Sequence, residues 1–167
     1  MGVVDTEGLA KEARTINRDD FVARHPYLYL VIAEHADQLP IGFETAVVSN
    51  FSGKLMQKVA AGVDFELLEV SKAPGNPYPE RISVGRARNC DVVMRDPSVS
   101  KLHAHFRLRE GGKLDLIDLE SQNGTRVNGR PLKANDPEWV GAGDTILFGA
   151  VSAKLVDSDA LFELLQE

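Results

Sequence analysis

Apolar and polar positions divide this chain into two textures. Up to about residue 60 the pattern mixes helical spacing with one continuous apolar run. Leu9, Ala10, Ala13 and Ile16 recur near a 3.6-residue period, which predicts helix across residues 5–25, ended by His25-Pro26 because a residue before proline avoids the helical region. Asp19-Asp20 ahead of Phe21 and Val22 suit a helix start within that stretch. Tyr27 to Ala33 reads YLYLVIA, the mark of a strand buried on both faces. Asp37–Pro40 predicts a turn, Ile41–Ser49 a second strand, and Lys54–Ala61 a helix with Leu55, Met56 and Val59 inward.

From residue 63 the period shortens. Strand-like runs are Phe65–Val70, Arg81–Val84, Val92–Met94, Ala104–Leu108, Leu114–Leu119, Thr125–Val127, Thr145–Phe148 and Val151–Val156. Turn signals separate them: three prolines between Ala73 and Pro79, then Gly111-Gly112, Asn123-Gly124, Asn128-Gly129 and Gly141 to Asp144. Short strands so punctuated predict a mainly β fold, an antiparallel sandwich or barrel. Ser158-Asp159 should cap a short C-terminal helix with Leu161, Leu164 and Leu165 on one face. The expected division is an α/β extension over residues 1–62, a β-rich core over 63–157 and a helix over 158–167. Trp139 reads as core.

Composition narrows the function. The single cysteine, Cys90, allows no internal disulfide and fits a reducing cytoplasm. There is no run of roughly eighteen apolar residues, and the first residues lack a basic segment followed by an apolar one, so neither a membrane span nor a signal peptide is expected. Net charge is −6, which argues against nucleic acid as a partner. The charge is uneven: residues 81–109 carry seven Lys/Arg against two Asp/Glu, while both flanks are acidic. A basic middle in an acidic chain suits an anion-binding face.

Candidate chemistry sits in that basic stretch and just after it. Gly85-Arg86 follows an apolar run, Ser100-Lys101-Leu102-His103 follows a turn, and Asn123-Gly124-Thr125 occupies a hairpin tip. Guanidinium presents paired donors to phosphate oxygens, and a serine in a turn offers a hydroxyl and an N–H to one anion. The bland reading of Arg86 is an ion pair with Asp91 or Asp96. Ser52-Gly53-Lys54 lacks the glycine that a phosphate loop requires five residues before Gly53. His25 and His35 stand alone. His103 and His105 share a strand face, but no cysteine or carboxylate cluster completes a metal set. With no serine–histidine–acid arrangement either, no enzyme, cofactor or metal is expected.

In order along the chain, Gly85-Arg86, Asn89-Cys90-Asp91-Val92, Asp96, Val99 to Ala104, Asp118-Leu119, Ser121 to Thr125, Val127-Asn128-Gly129, Gly143 to Ile146 and Phe148-Gly149 resemble the forkhead-associated (FHA) domain pattern. The resemblance covers roughly residues 63–157. It implies an antiparallel two-sheet β-sandwich of about eleven strands whose loops at one end bind phosphothreonine in an extended peptide. It assigns phosphate or peptide contact to Arg86, Ser100, Lys101, Gln122 and Asn123, and structural support to Gly85, His103, Gly124 and Asn128. Lys101 stands where the family often has arginine, and Gln122 where it commonly has threonine. Arg88 and Arg126 are candidates for the rim. The implied role is a non-catalytic cytoplasmic adaptor. Its implied partner is a phosphothreonine-containing protein, a Ser/Thr kinase or its substrate, with no nucleic acid and no membrane. A phosphate-independent interaction scaffold is the alternative.

Overall fold

A computed structural model of the chain describes residues 4–33, 65–110 and 113–166. The turn at 37–40, the strand at 41–49, the helix at 54–61, His35, Ser52-Gly53-Lys54 and the Gly111-Gly112 turn lie outside the described residues.

The predicted helical stretch forms two helices, α1 (Thr6–Thr15) and α2 (Arg18–Arg24). Asp5 caps the first by accepting from the Gly8 N–H, and Asn17 interrupts the run by capping the second through the Asp20 N–H. The strands, in chain order, are β1 (Leu28–Ala33), β2 (Phe65–Val70), β3 (Arg81–Gly85), β4 (Val92–Val93), β5 (Ala104–Leu108) and β6 (Leu114–Asp118). They continue as β7 (Thr125–Val127), β8 (Arg130–Pro131), β9 (Glu138–Val140), β10 (Thr145–Phe148) and β11 (Val151–Val156), before α3 (Ser158–Leu165).

One sheet runs β2-β1-β11-β10-β7-β8 and the other β4-β3-β5-β6-β9. Pairing is antiparallel except between β3 and β4, which run parallel. Their facing sides enclose a core that includes Leu30, Leu68, Val84, Phe106, Leu116, Ile146, Phe148 and Leu155.

The chain division expected at residue 62 does not follow the sheet. β1 lies between β2 and β11 and bonds to both, so residues 28–33 are sandwich, not extension. Its continuous apolar run has a simple cause. Leu30 faces the other sheet, whereas Tyr29 and Val31 face a second core under α1, α2 and α3 with Leu9, Phe21, Leu67, Val156 and Leu161. A strand covered on both sides needs apolar residues on both sides.

Two expectations are corrected here. Asp157, not Ser158, caps α3, by accepting from the Ala160 N–H. The Ser158 hydroxyl instead donates to the carbonyl oxygens of His25 and Tyr27, tying α3 to the end of α2. Trp139 is not core: it is 70% exposed. It sits on the edge strand β9, where Val140 takes the inward position and Trp139 the outward one.

Candidate phosphopeptide site

Three loops meet at one end of the sandwich: the one after β3, the one before β5, and the one between β6 and β7. Backbone bonds join the first two. The Arg86 N–H donates to the Ser100 carbonyl oxygen at 3.0 Å and the Ala87 N–H to that of Lys101 at 3.1 Å. This approach needs Gly85. A Cβ there would lie 2.2 Å from the Lys101 carbonyl oxygen and 3.0 Å from the Cys90 sulfur.

His103 joins the second loop to the third. Its ring is fully buried. Nδ1 accepts from the Ser100 N–H at 3.1 Å, and Nε2 faces the Gly124 carbonyl oxygen at 3.0 Å. One nitrogen must accept and the other donate, so the ring is neutral with its proton on Nε2. Burial pushes its pKa below the ordinary histidine value, outweighing the Gly124 carbonyl and the Asp118 carboxylate that favour a proton. The same Gly124 oxygen accepts from the Gly149 N–H.

The third loop is built on Asp118. Oδ1 accepts from the hydroxyls of Ser121 and Thr125, and Oδ2 from the Ser121 N–H. This shapes the turn so that the Gln122 N–H reaches the Ser100 hydroxyl at 3.0 Å and the Asn123 amide reaches the Ser98 carbonyl oxygen at 2.8 Å. Ser98 is itself held, donating through its hydroxyl to Asp96 and accepting from the Ala150 N–H.

Arg86 pairs with neither Asp91 nor Asp96. Its Nε donates to the Val99 carbonyl oxygen at 3.0 Å, which aims the guanidinium along the second loop. Among the described residues its two Nη groups have no hydrogen-bond or ion-pair partner. Asp91 has a different task. It is buried between β3 and the loop after β2, where it accepts from the N–H groups of Ala73 and Ser83, the Ser83 hydroxyl, Asn76 and Lys72. Desolvation raises its pKa, but these donors outweigh it and hold the carboxyl at about 2.

Arg86, Ser100, Lys101, Gln122 and Asn123 are therefore brought together at one end, over Gly85, His103 and Gly124. The Lys101 ammonium is exposed and has no bonding partner among the described residues. Asn128 belongs elsewhere. It sits at the far end of β7 and bonds Asp144 and the Thr145 N–H, fastening the β7–β8 turn to β10. Arg126 projects from mid-β7 between buried Thr125 and Val127 and does not join the cluster. The supports that the motif reading left without a role are Ser98, Asp118 and Gly149. Asp118 carried a signal, an aspartate three residues before a serine at a turn. Gly149 stands in the motif pattern without a role there, and Ser98 shows only its local bond to Asp96; the bonds from Asn123 and Ala150 to Ser98 and from Gly149 to Gly124 join residues distant in sequence.

The family model for the FHA domain matches residues 82–149. The oxoglutarate dehydrogenase inhibitor of Corynebacterium efficiens is 36% identical over 117 residues, covering 70% of this chain and 68% of that protein. This chain belongs to the FHA domain family. The glycogen accumulation regulator GarA of Mycolicibacterium smegmatis is 40% identical over 67 residues, 40% of each chain. The match thus spans about two fifths of the length of that relative. Among solved structures, the N-terminal FHA domain of Saccharomyces cerevisiae Rad53p in complex with a phosphothreonine peptide aligns with a TM-score of 0.50 at 20% identity. That alignment covers 81% of this chain and 98% of the Rad53p domain. An engineered FHA domain with a Myc-pTBD peptide aligns at 0.51 and 19% identity, covering 84% and 98%. These likenesses establish the FHA β-sandwich fold, in which β1, β2 and β11 complete the six-stranded sheet outside the matched segment.

Proposed function

We propose that this chain is a phosphothreonine-peptide-binding module that acts as a non-catalytic signalling adaptor in the cytoplasm. The observation that carries this reading is Arg86. Its Nε is committed to Val99, so its direction is set, while its paired Nη donors stay without a partner among the described residues. A guanidinium fixed at one nitrogen and open at two suits a phosphate dianion. The Ser100 hydroxyl and the Lys101 ammonium lie on the adjacent loop, so three donors are available to one phosphate. Asn123, held through its amide nitrogen, keeps its side-chain carbonyl for an N–H of the peptide main chain.

Charge decides between phosphorylated and plain peptide. The donors are hydrated when empty, and a neutral hydroxyl returns less than their desolvation costs. Each charge-assisted bond to phosphate contributes about 1.5–3 kcal/mol. Lysine at position 101 supplies charge without a fork, so geometric selection rests on Arg86 and Ser100. Among the described residues no helix is long and apolar enough to cross a membrane. The similar proteins named above are called a regulator and an inhibitor, which supports action by binding. The partner is a phosphothreonine-bearing protein, either a Ser/Thr kinase or its substrate.

The test is calorimetric titration with a degenerate phosphothreonine peptide library, alongside matched phosphoserine and unphosphorylated libraries. The expected result is binding to phosphothreonine alone, weakened at least tenfold by Arg86→Ala and by raised salt. Equal binding of the unphosphorylated library, or full affinity in Arg86→Ala, overturns the reading.

A further inference from the structure

The outer side of the five-stranded sheet carries an arrangement that phosphopeptide binding does not use. Register places Arg81 on β3 opposite Arg107 on β5, Arg107 opposite Asp115 on β6, and Asp115 opposite Trp139 on β9. The four residues form one row across four strands, all on the side away from the core. Arg109 and Lys113 extend the face at the ends of β5 and β6, with a backbone bond between them. The Lys113 ammonium lies 4.8 Å from the centre of the Trp139 ring.

Three features of this face are costly for a surface that only faces water. Arg81 and Arg107 stand directly opposite one another, and like charges so placed repel. Trp139, at the other end of the row, is largely exposed. Asp115 is fully buried, with one carboxylate oxygen accepting from Arg107 and Arg109. Its other oxygen and the Arg107 Nε are buried without a partner among the described residues. Compensation is partial, from Asp115 beneath Arg107 and Arg109 and from Glu80 and the Tyr78 ring beside Arg81, and conflicts only partly met concentrate at functional surfaces.

The charge presented outward is positive. The single acid within the row lies beneath two guanidiniums, so solvent meets Arg81, Arg107, Arg109 and Lys113. Glu80, 3.9 Å from Arg81, and Glu110 lie at strand ends and do not outnumber these cations. This is a basic face with an exposed indole on a chain of net charge −6. The phosphate-facing loops are elsewhere: Arg81 opens β3 while Arg86 follows its end, a separation of roughly 16 Å along the strand.

The geometry points to a second docking surface here, formed by Arg81, Arg107, Arg109, Lys113 and Trp139, that takes an acidic, unphosphorylated segment of a partner protein. Carboxylates on that segment meet the guanidiniums and Lys113, and an apolar residue covers the indole, the residue type that most often anchors interfaces. Polypeptide is favoured over nucleic acid because the rest of the chain is acidic and would repel a phosphate backbone beyond this face.

Trp139 is the only tryptophan, so its emission reports on this face alone. The experiment titrates the full chain with a short glutamate-rich peptide, following tryptophan emission, with a glutamine-rich peptide as control. Expected is a saturable, salt-sensitive change with the glutamate-rich peptide only. It should be weakened at least tenfold by Arg81→Glu combined with Lys113→Glu and unchanged by Arg86→Ala. Arg81 and Lys113 are exposed, and a matching melting temperature verifies the fold of the double variant. No saturable change, equal binding of the glutamine-rich peptide, or loss in Arg86→Ala overturns the proposal. Tighter binding of a single-stranded DNA oligonucleotide, or self-association in sedimentation that disappears in the double variant, likewise replaces the acidic segment with another occupant. Arg86→Ala separates this site from the phosphothreonine reading, so either can fail alone.

Discussion

The Ser100 hydroxyl accepts the Gln122 N–H at 3.0 Å, although 22 residues separate the two. This bond fastens two of the three loops at their tips. The hydroxyl keeps its own proton free to donate, so one group holds the loop and stays available to a ligand. Ser100→Ala should therefore separate two effects. The Gln122 N–H is exposed and can rehydrate, so stability should fall by under about 1 kcal/mol. Phosphopeptide affinity should fall at least tenfold. Thermal unfolding and calorimetry on the same preparation measure both, and unchanged affinity removes Ser100 from the site.

His103 gives the site a pH dependence whose sign is set. Its pKa is ordinarily about 6.5 and burial lowers it in the folded protein. The unfolded chain then binds more protons in the interval below about 6.5, so stability is whole above that pH and declines as pH falls through it. Protonating Nδ1 also breaks the bond from the Ser100 N–H. A melting series from pH 7.5 to pH 5 should show this decline, and His103→Gln should flatten it. An identical slope in the variant places the dependence elsewhere.

Asp91 acts at lower pH. Its folded pKa of about 2 lies below the ordinary carboxyl value, so its contribution is present above about pH 4 and is lost as pH falls toward 2. The shift is worth on the order of 2 kcal/mol. Urea unfolding at pH 5 and at pH 2.5 should show a smaller difference for Asp91→Asn than for the parent. The loop at 72–76 should become sensitive to protease in that variant.

Gly85→Ala should cost more than any of these. The new methyl would meet the Lys101 carbonyl at 2.2 Å, and backbone cannot move aside as a side chain can. A loss of more than about 2 kcal/mol is expected, with a fall in peptide affinity, since the strain falls on the residue next to Arg86, at the end of β3. A melting temperature within a degree of the parent contradicts the packing described.

The helical layer is expected to belong to the folding unit. Phe21 is fully buried against Phe162 and the outer side of the six-stranded sheet. Phe21→Ala should cost about 3–5 kcal/mol in one cooperative transition. A separate early transition, with the sandwich melting as before, would show that the layer folds on its own.

Much was legible along the chain because it depends on neighbours in sequence. Strand-like runs found β2 to β7, β10 and β11; Asn-Gly and Gly-Asp pairs found the turns; and the order of Gly85-Arg86, Ser100 to His103 and Asn123-Gly124 named the family and the five contact candidates. These signals are local, since a strand alternates and a turn needs particular residues whatever surrounds it. β8 and β9 were missed because neither Arg130-Pro131 nor Glu138–Val140 reads as an apolar run, and proline argues against a strand.

The rest was decided by tertiary structure. β1 joined the sandwich, despite preceding it by some thirty residues, because only the pairing partner determines which sheet a strand enters. Trp139 faces solvent because an edge strand leaves its outward position uncovered, and no residue type records that. Asn128 fell away from the site and Ser98, Asp118 and Gly149 entered it, since bonds across loops depend on where backbones cross. Composition and order determined what kind of domain this is and which anion its loops resemble a receptor for. Which donors are already spent, as in Arg86 Nε, and which remain open for a ligand, only the assembled loops decide.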